Sequence, residues 1–589
     1  MKSSHLAAAV LAVVFALHCA LATRPAFTTV EAPAATLCAF RGACPRGDWA
    51  LLSRSAADEL HSVTIAVKLR ANAEAVCDAL LMEVSTPGSR KAGLHYTHEQ
   101  VGQLLSDFEH TRTVEQWLRA HSIEHQTTAN GDFIHVTASV AKLEQLLHAQ
   151  FHEFSSKALD FTVRRTSSIS LPANVAASID FITNTIRFPN IKAHYAMMTP
   201  SGAQHSARQS SSGNVTPQTI YQFYGVTNTT VTRPVGQSVF ETGQNFSPSD
   251  LASFQKQYGL VQNPVKTVIG SNDGWVCYWS PDSCAEASLD VQYMMAMAQN
   301  APTTFWSMDS TSQDPFYDWI IALAGTANPP LVHSISYGSI ATEDSKTDMT
   351  RFNTETCKLG LKGVTITVSS GDDGVANYEA RSDSSQCGFN PSFPATCPYV
   401  TAVGATMGPE FGQPEVACTS NNGGLITTGG GFSVFFPRPS YQDAAIKQYL
   451  TTAPNLPPSS MYNTAGRGYP DVALLGHNYQ VVIGGGTYTV SGTSASSPVF
   501  AGFVTLINNY RASIGKGPVG FINPALYQFA AQKKPVFNDI TVGENNCCAG
   551  SPGSQVCCQY GFNATAGWDP LTGLGSVRFP QLLQALAQI

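Results

Sequence analysis

The chain has 589 residues, 43% hydrophobic and 10% aromatic, enough apolar side chain to bury a large core and to exclude a mainly disordered protein. Charged residues make up only 13%, about half the ~25% of an average soluble domain. A net charge of −7 without any basic run excludes nucleic acid as an expected partner.

At the start, Lys2 precedes an apolar run, Leu6–Leu17, and then the small-x-small pattern Ala20-Leu21-Ala22. This reads as a secretory signal peptide over residues 1–22, cut after Ala22. The alternative, a membrane anchor, needs ~20 apolar residues, and His18 interrupts a run already too short. No later segment is apolar enough to span, so no stable membrane insertion is expected. Thirteen of the fourteen cysteines follow the signal and fit an oxidising lumen. Cys277 and Cys284 are spaced to close a short loop, and Cys547-Cys548 with Cys557-Cys558 to staple a longer one; the full connectivity is not readable. Sequons at Asn214, Asn228, Asn245 and Asn563 agree with secretory passage, the first and third being followed by proline.

The next body, residues 23–198, mixes helix and strand patterns. Thr97–Phe108, Val114–Ala120 and Val140–Phe151 carry apolar residues at helical spacing. Residues 199–213 (TPSGAQHSARQSSSG) are small and polar, the chemistry of an exposed, cleavable linker. Thirteen of the fifteen histidines lie at or before His205, so a histidine mechanism further on has two candidates, His333 and His477. Both are expected to be structural or surface residues.

Over 214–589 strand and helix patterns alternate. Ser238–Glu241, Lys266–Gly270, Leu331–Tyr337 and Val364–Ser369 read as strands, with helices near Ser249–Tyr258, Ala285–Gln299 and Thr350–Leu361. Such alternation predicts an α/β fold, a doubly wound and mostly parallel sheet with helices on both faces. Ligands of such sheets bind beyond the carboxyl ends of the strands.

Three segments carry chemistry there. In Ser491-Gly-Thr-Ser-Ala-Ser-Ser-Pro498, Ser494 stands at the start of an apolar helix, where free N–H groups favour developing negative charge; Pro498 suits an early helical turn. The plainer reading is a set of capping hydroxyls. Glu286 and Asp290 are four apart, so a helix puts them on one face among apolar neighbours, where one carboxyl is forced to hold its proton. The alternative is a solvated acidic pair at a helix N-terminus. Asp372, in Ser-Ser-Gly-Asp-Asp-Gly, sits where a strand ends; protonated, it can donate to an oxyanion, and otherwise it is an Asp-Gly turn.

Together these segments, with Glu286–Met294 (EASLDVQYM), His333–Gly338 (HSISYG), Gly429–Gln442 (GGGFSVFFPRPSYQ) and Gly567–Gly575 (GWDPLTGLG), resemble the sedolisins, serine-carboxyl peptidases with a subtilisin-like fold. The order ExxxD, SGD, SGTSASSP is what separates them from ordinary subtilases. The resemblance implies a subtilisin-like peptidase over 214–589, preceded by an α+β pro-domain removed in acid by cleavage within 190–213. It implies Ser494 as nucleophile, Glu286 as base, Asp290 as its orienting partner and Asp372 as oxyanion donor, with activity rising below neutral pH. It further implies one structural Ca2+ held by the side chains of Asp539 and Asp569 and the carbonyls of Ile540, Thr565 and Gly567, although relatives often have glycine in place of Thr565.

The resemblance also implies release of tripeptides from free N-termini, in a lysosome. Expected partners are therefore peptides, unfolded proteins and the chain's own propeptide, in a lysosome-like compartment or outside the cell. The competing readings are an acid endopeptidase with an open cleft and an inactive secreted calcium-binding protein. Protonation of pro-region histidines near pH 6 is expected to loosen the propeptide.

Overall fold

The computed structural model describes residues 26–31, 49–156, 162–189, 192–193, 197–200, 213–312, 314–551 and 553–589; the expected signal peptide and residues 201–212 of the expected linker lie outside them. The chain divides into two units, one of Met1–Lys68, Asp107–Thr127 and Asp132–Arg187, the other of Leu69–Ser106, Thr128–Gly131 and Phe188–Ile589.

In the first unit Leu60–Val67 and Phe133–Ser139 pair antiparallel, Leu60 opposite Ser139 through Ala66 opposite Phe133. His125–Thr127 and Ile179–Ile182 complete a four-stranded sheet. Side chains two apart share a face, so Val63 and Ile65 join Ile134 and Val136 in one core with Val114 and Leu118 of the helix Phe108–Ala120. The helical pattern expected over Val140–Phe151 stops at Leu147. His148 takes a left-handed φ of 49° and Phe151 opens the strand Phe151–Ser156. That cap is usually glycine, so no sequence signal marked it.

The second unit begins with helices α1 (Ala73–Ser85) and α2 (His98–Leu105). A reciprocal bond starts α2: Thr97 Oγ1 accepts the Gln100 N–H and the Gln100 side chain accepts the Thr97 N–H. The chain then alternates through β1 (Gln237–Thr242), β2 (Thr267–Ile269), α3 (Ala285–Met297), β3 (Thr303–Met308), β4 (Val332–Ile335), α4 (Lys346–Leu361), β5 (Thr365–Ser369), β6 (Thr401–Met407), β7 (Val472–Leu475), α5 (Thr493–Ser513), β8 (Phe537–Asn538) and β9 (Ser576–Val577). The ten-stranded sheet runs β2-β3-β1-β4-β5-β6-β7-β9-β8, with Val416–Ala417 added beside β6. Neighbours from β2 to β9 are parallel, and β8 is antiparallel to β9. Every residue of β5 is buried, as a parallel strand covered on both faces requires.

Helix α5 packs across β4 to β7 and against α3, and every residue of α3 is buried. The chain leaves β1 toward β2 and β3 on one side and returns through β4 on the other. The carboxyl ends of β1 and β4 therefore border the crevice where strand order reverses.

Candidate active site

Ser494 is the second residue of α5. Gly492 turns the chain into the helix, its N–H donating to Gly476 O at 2.9 Å. A Cβ on Gly476 would meet Gly492 O at 2.8 Å, so the approach needs a residue without one. The serine is thereby held at a helix N-terminus, where the helix dipole favours developing negative charge. Pro498 lies in the second turn of α5 rather than the first, because the helix starts only at Thr493. Its missing N–H leaves the Ser494 carbonyl without an i+4 donor.

Glu286 and Asp290 lie one turn apart on α3, both with 0% exposure, which rules out a solvated pair. Ser494 Oγ donates to Ser336 O at 3.3 Å, and Ser336 Oγ donates to Asp290 Oδ2 at 2.7 Å. Burial holds both carboxyls well above the usual range. For Glu286 the charges of Asp290 and Glu241 push the same way, and the Ser494 hydroxyl pulls back. Neither Glu286 oxygen reaches full hydrogen-bond geometry with a described group, so Ser494 stands close to it without an aligned bond.

A third carboxyl joins the row. Glu241, near the carboxyl end of β1, is buried and accepts the Tyr337 hydroxyl on Oε2 at 2.7 Å. Burial and the Asp290 charge raise its pKa as well. Sequence reasoning missed it, because no short window shows that the end of β1 lies near Asp290 and Glu286.

Asp372 follows the end of β5. Its Oδ1 accepts both the N–H and the hydroxyl of Thr493 at 2.8 Å, and its Oδ2 has no partner among the described residues. Burial pushes its pKa up to about 8. A protonated carboxyl whose bare oxygen stands beside a nucleophile can donate to an oxyanion. Asp373 is engaged elsewhere: Arg381 Nε and Nη2 donate to its two oxygens at 2.8 and 2.6 Å, and the Ala549 N–H donates to Oδ1 at 2.8 Å. Ala549 belongs to residues 544–559, an insertion between the segments that carry Asp539 and Asp569, tied by the disulfides Cys547–Cys557 and Cys387–Cys558. Cys548 is free, so the two cysteine pairs do not simply staple one another. Cys277–Cys284 closes the short loop just ahead of α3, as expected.

The histidines stay out of this row. His333 Nε2 bonds Pro330 O at 2.8 Å and packs against Trp319, and burial lowers its pKa to about 3. His477 Nδ1 bonds Glu410 Oε1 at 2.9 Å. Both are buried structural residues, not surface ones.

The backbone ahead of the linker and at its start lies on two short strands. Lys192 and Ala193 pair antiparallel with Gly338 and Tyr337, and Met197–Pro200 pairs antiparallel with Tyr488–Ser491. This is strand addition of an extended peptide.

At the far end of the sheet Asp539 and Asp569 converge on one loop. Asp539 accepts the Gly567 N–H, and the buried Asp569 accepts the N–H groups of Thr565, Leu571 and Thr572 at 3.1, 3.0 and 2.9 Å. Thr565 Oγ1 is a buried polar atom with no partner among the described residues. Two carboxylates and an orphan oxygen on one loop fit a hard cation; among the described residues no group of three or more His, Cys, Asp or Glu side chains is placed to hold a metal ion, so backbone carbonyls would have to complete its shell.

A helix-start serine facing a row of buried carboxyls, at the carboxyl end of a doubly wound parallel sheet, is the build of a serine-carboxyl peptidase. Residues 48–188 match the activation domain of pro-kumamolisin, and residues 295–519 match the subtilase family. The chain is 37% identical to tripeptidyl-peptidase 1 of Canis lupus familiaris, over 91% of this chain and 93% of that one. It is 36% identical to tripeptidyl-peptidase 1 of Homo sapiens with the same coverage, and 32% identical to physarolisin of Physarum polycephalum over 91% of this chain and 96% of that one. The chain belongs to the sedolisin family of serine-carboxyl peptidases, made as zymogens with an activation domain. Among solved structures, Pseudomonas sedolisin matches at 22% identity with a TM-score of 0.49, covering 64% of this chain and 98% of that one.

Proposed function

We propose that this peptidase acts in acid and releases tripeptides from free N-termini through an acyl-enzyme. In this reading Ser494 Oγ attacks the scissile carbonyl carbon and Glu286 takes its proton. Asp290 and Glu241 share protons with Glu286 and keep its position, and the Asp372 carboxyl and the Ser494 N–H donate to the oxyanion. Collapse expels the amine, which takes the proton from Glu286; water then repeats the sequence on the ester. The observation that supports the reading most is the Asp372 carboxyl with one oxygen held by Thr493 and the other bare.

Release of tripeptides follows the likeness to tripeptidyl-peptidase 1. The endopeptidase reading is favoured by one feature, the strand at 192–193, an internal stretch of chain that pairs with Tyr337–Gly338 beside Ser336. Turnover of peptides with free and acetylated N-termini, measured across pH, separates the two. An exopeptidase leaves the acetylated peptide intact, and a neutral-to-alkaline optimum on the free one would reject the acid mechanism.

The same pairing supports maturation by cleavage within 190–213, which clears the pro-chain from the strands at Tyr337–Gly338 and Tyr488–Ser491. One Ca2+ held by Asp539, Asp569 and the carbonyls of Ile540, Thr565 and Gly567 would brace the C-terminal loop. The disulfides support an oxidising secretory route, and the acid chemistry suits a lysosome as its destination.

A further inference from the structure

The helix pair α1–α2 lies ahead of the linker in sequence, within the stretch that matches an activation domain, yet Leu69–Ser106 groups with the peptidase unit. The tie is covalent. Cys77 on α1 is bonded to Cys357 on α4, 280 residues away. A cut within 190–213 falls between these two cysteines, so it opens the backbone and leaves the bond. We propose that the matured enzyme is a two-chain protein, in which the segment carrying α1 and α2 stays as a disulfide-held second chain and a permanent part of the peptidase body. The inference rests on the maturation cut proposed above.

The packing under the bond is that of an interior. Cys77, Leu81, Val84, Val101 and Leu105 form one core with Cys357, Leu361 and Phe521, all buried. The face of α4 is shaped for Leu81: a Cβ on Gly360 would meet Leu81 Cδ1 at 2.8 Å. His95 fills a notch between Gly363 and Gly520, where a Cβ on Gly520 would meet its Nε2 at 2.5 Å. Polar groups are matched as well. The Tyr399 hydroxyl donates to Asp78 Oδ1 at 2.9 Å and the Tyr96 N–H donates to Leu361 O at 2.8 Å. Departure of this segment would bare Leu361 and Phe521 to water and leave a thiol at 357, whereas retention costs nothing in surface. A propeptide that is meant to leave has no use for a buried covalent bond to what it leaves behind.

The test uses the full chain with a specific protease site inserted within 201–212, cut by that protease, alongside the unaltered chain incubated in acid. Both products are run on denaturing gels with and without dithiothreitol, and the unreduced, native-purified enzyme is peptide-mapped by mass spectrometry. The expected result is two bands with reductant, one without, and recovery of the linked Cys77–Cys357 peptides from active enzyme. Two bands without reductant, or Cys357 recovered without Cys77, overturns the proposal. Failure of the acid cut alone counts against the maturation reading, and the inserted site still decides the tether. A Cys77→Ser, Cys357→Ser double variant serves as the control, its cut chains separating on both gels.

Discussion

Asp372 and Thr493 are joined through a single carboxyl oxygen, which takes both the backbone N–H and the hydroxyl of Thr493, the residue before Ser494, at 2.8 Å, while the second oxygen has no partner among the described residues. That asymmetry fixes the direction of the bare oxygen, and the pKa of about 8 keeps a proton available to it in acid. Asp372→Ala is expected to lower kcat by about 10²–10³, the usual cost of one oxyanion donor. Asp372→Asn retains a donor at every pH, so its basic limb is expected to move to higher pH than the wild type's. Profiles of kcat against pH for the two variants check both points.

Glu241 bears on Glu286 and Asp290 through its charge, and the proposed roles grade accordingly. Glu286→Gln removes the proton acceptor and is expected to cost at least about 10²–10⁴ in kcat. Glu241→Gln keeps the Tyr337 bond and removes one charge from the row. It is expected to shift the acidic limb of the profile to lower pH with KM unchanged, because Glu286 then ionises more easily. An unmoved acidic limb would separate Glu241 from the proton-sharing set.

The two units are expected to respond to acid in opposite directions. In the first, burial lowers the pKa of His61 to about 4 and also lowers that of His135. The unfolded chain then binds more protons than the folded one between about pH 6.5 and 4, so stability falls as pH drops through that window, by a few kcal/mol for His61. For His61 and His135, burial therefore puts proton uptake below the ordinary histidine range. In the second unit Asp372 stands at about 8 and Glu343 and Glu415 at about 7, all raised by burial. There the folded state holds more protons from about pH 4 upward, so stability is present in acid and is lost as pH rises through 7 to 8; His95 and His333, lowered to about 4 and 3, oppose this in part. Calorimetry of the Ser494→Ala zymogen at pH 4.5 and 7.5 should resolve a transition that falls with acid and another that rises.

Chelation tests the cation. If Ca2+ binds the native protein alone, stability changes by RT ln(1 + [Ca]/Kd), about 2.7 kcal/mol at 100 Kd. Tm should fall on chelation and recover with added calcium, and Asp569→Asn should lower Tm and remove most of that response. An unchanged Tm at buffered free calcium would count against the site.

Much of this was legible in the chain. Ser494, Glu286, Asp290 and Asp372 stand in short ungapped segments whose local geometry, a helix start, an i,i+4 face and a strand end, already fixes where each side chain can go. Glu241 was not legible, because its place depends on β1 and β4 being neighbours, a property of sheet order and not of any window. The seat of Leu69–Ser106 was hidden for a similar reason: apolar spacing says that α1 has a buried face, not that Leu361 and Phe521 cover it. The histidines of the pro-region read as acid sensors by type, whereas the degree of burial decides at what pH each takes its proton.

Asp373 gives the insertion 544–559 a reach beyond its own loop. The Ala549 N–H and the Arg381 guanidinium hold that carboxylate in place, one residue from the bare carboxyl of Asp372, and the Cys387–Cys558 bond anchors the insertion to the same neighbourhood. Nicking the insertion or opening that bond would therefore register first at Asp372, the proposed oxyanion donor, and damage some distance along the chain would present itself to an assayist as a catalytic defect.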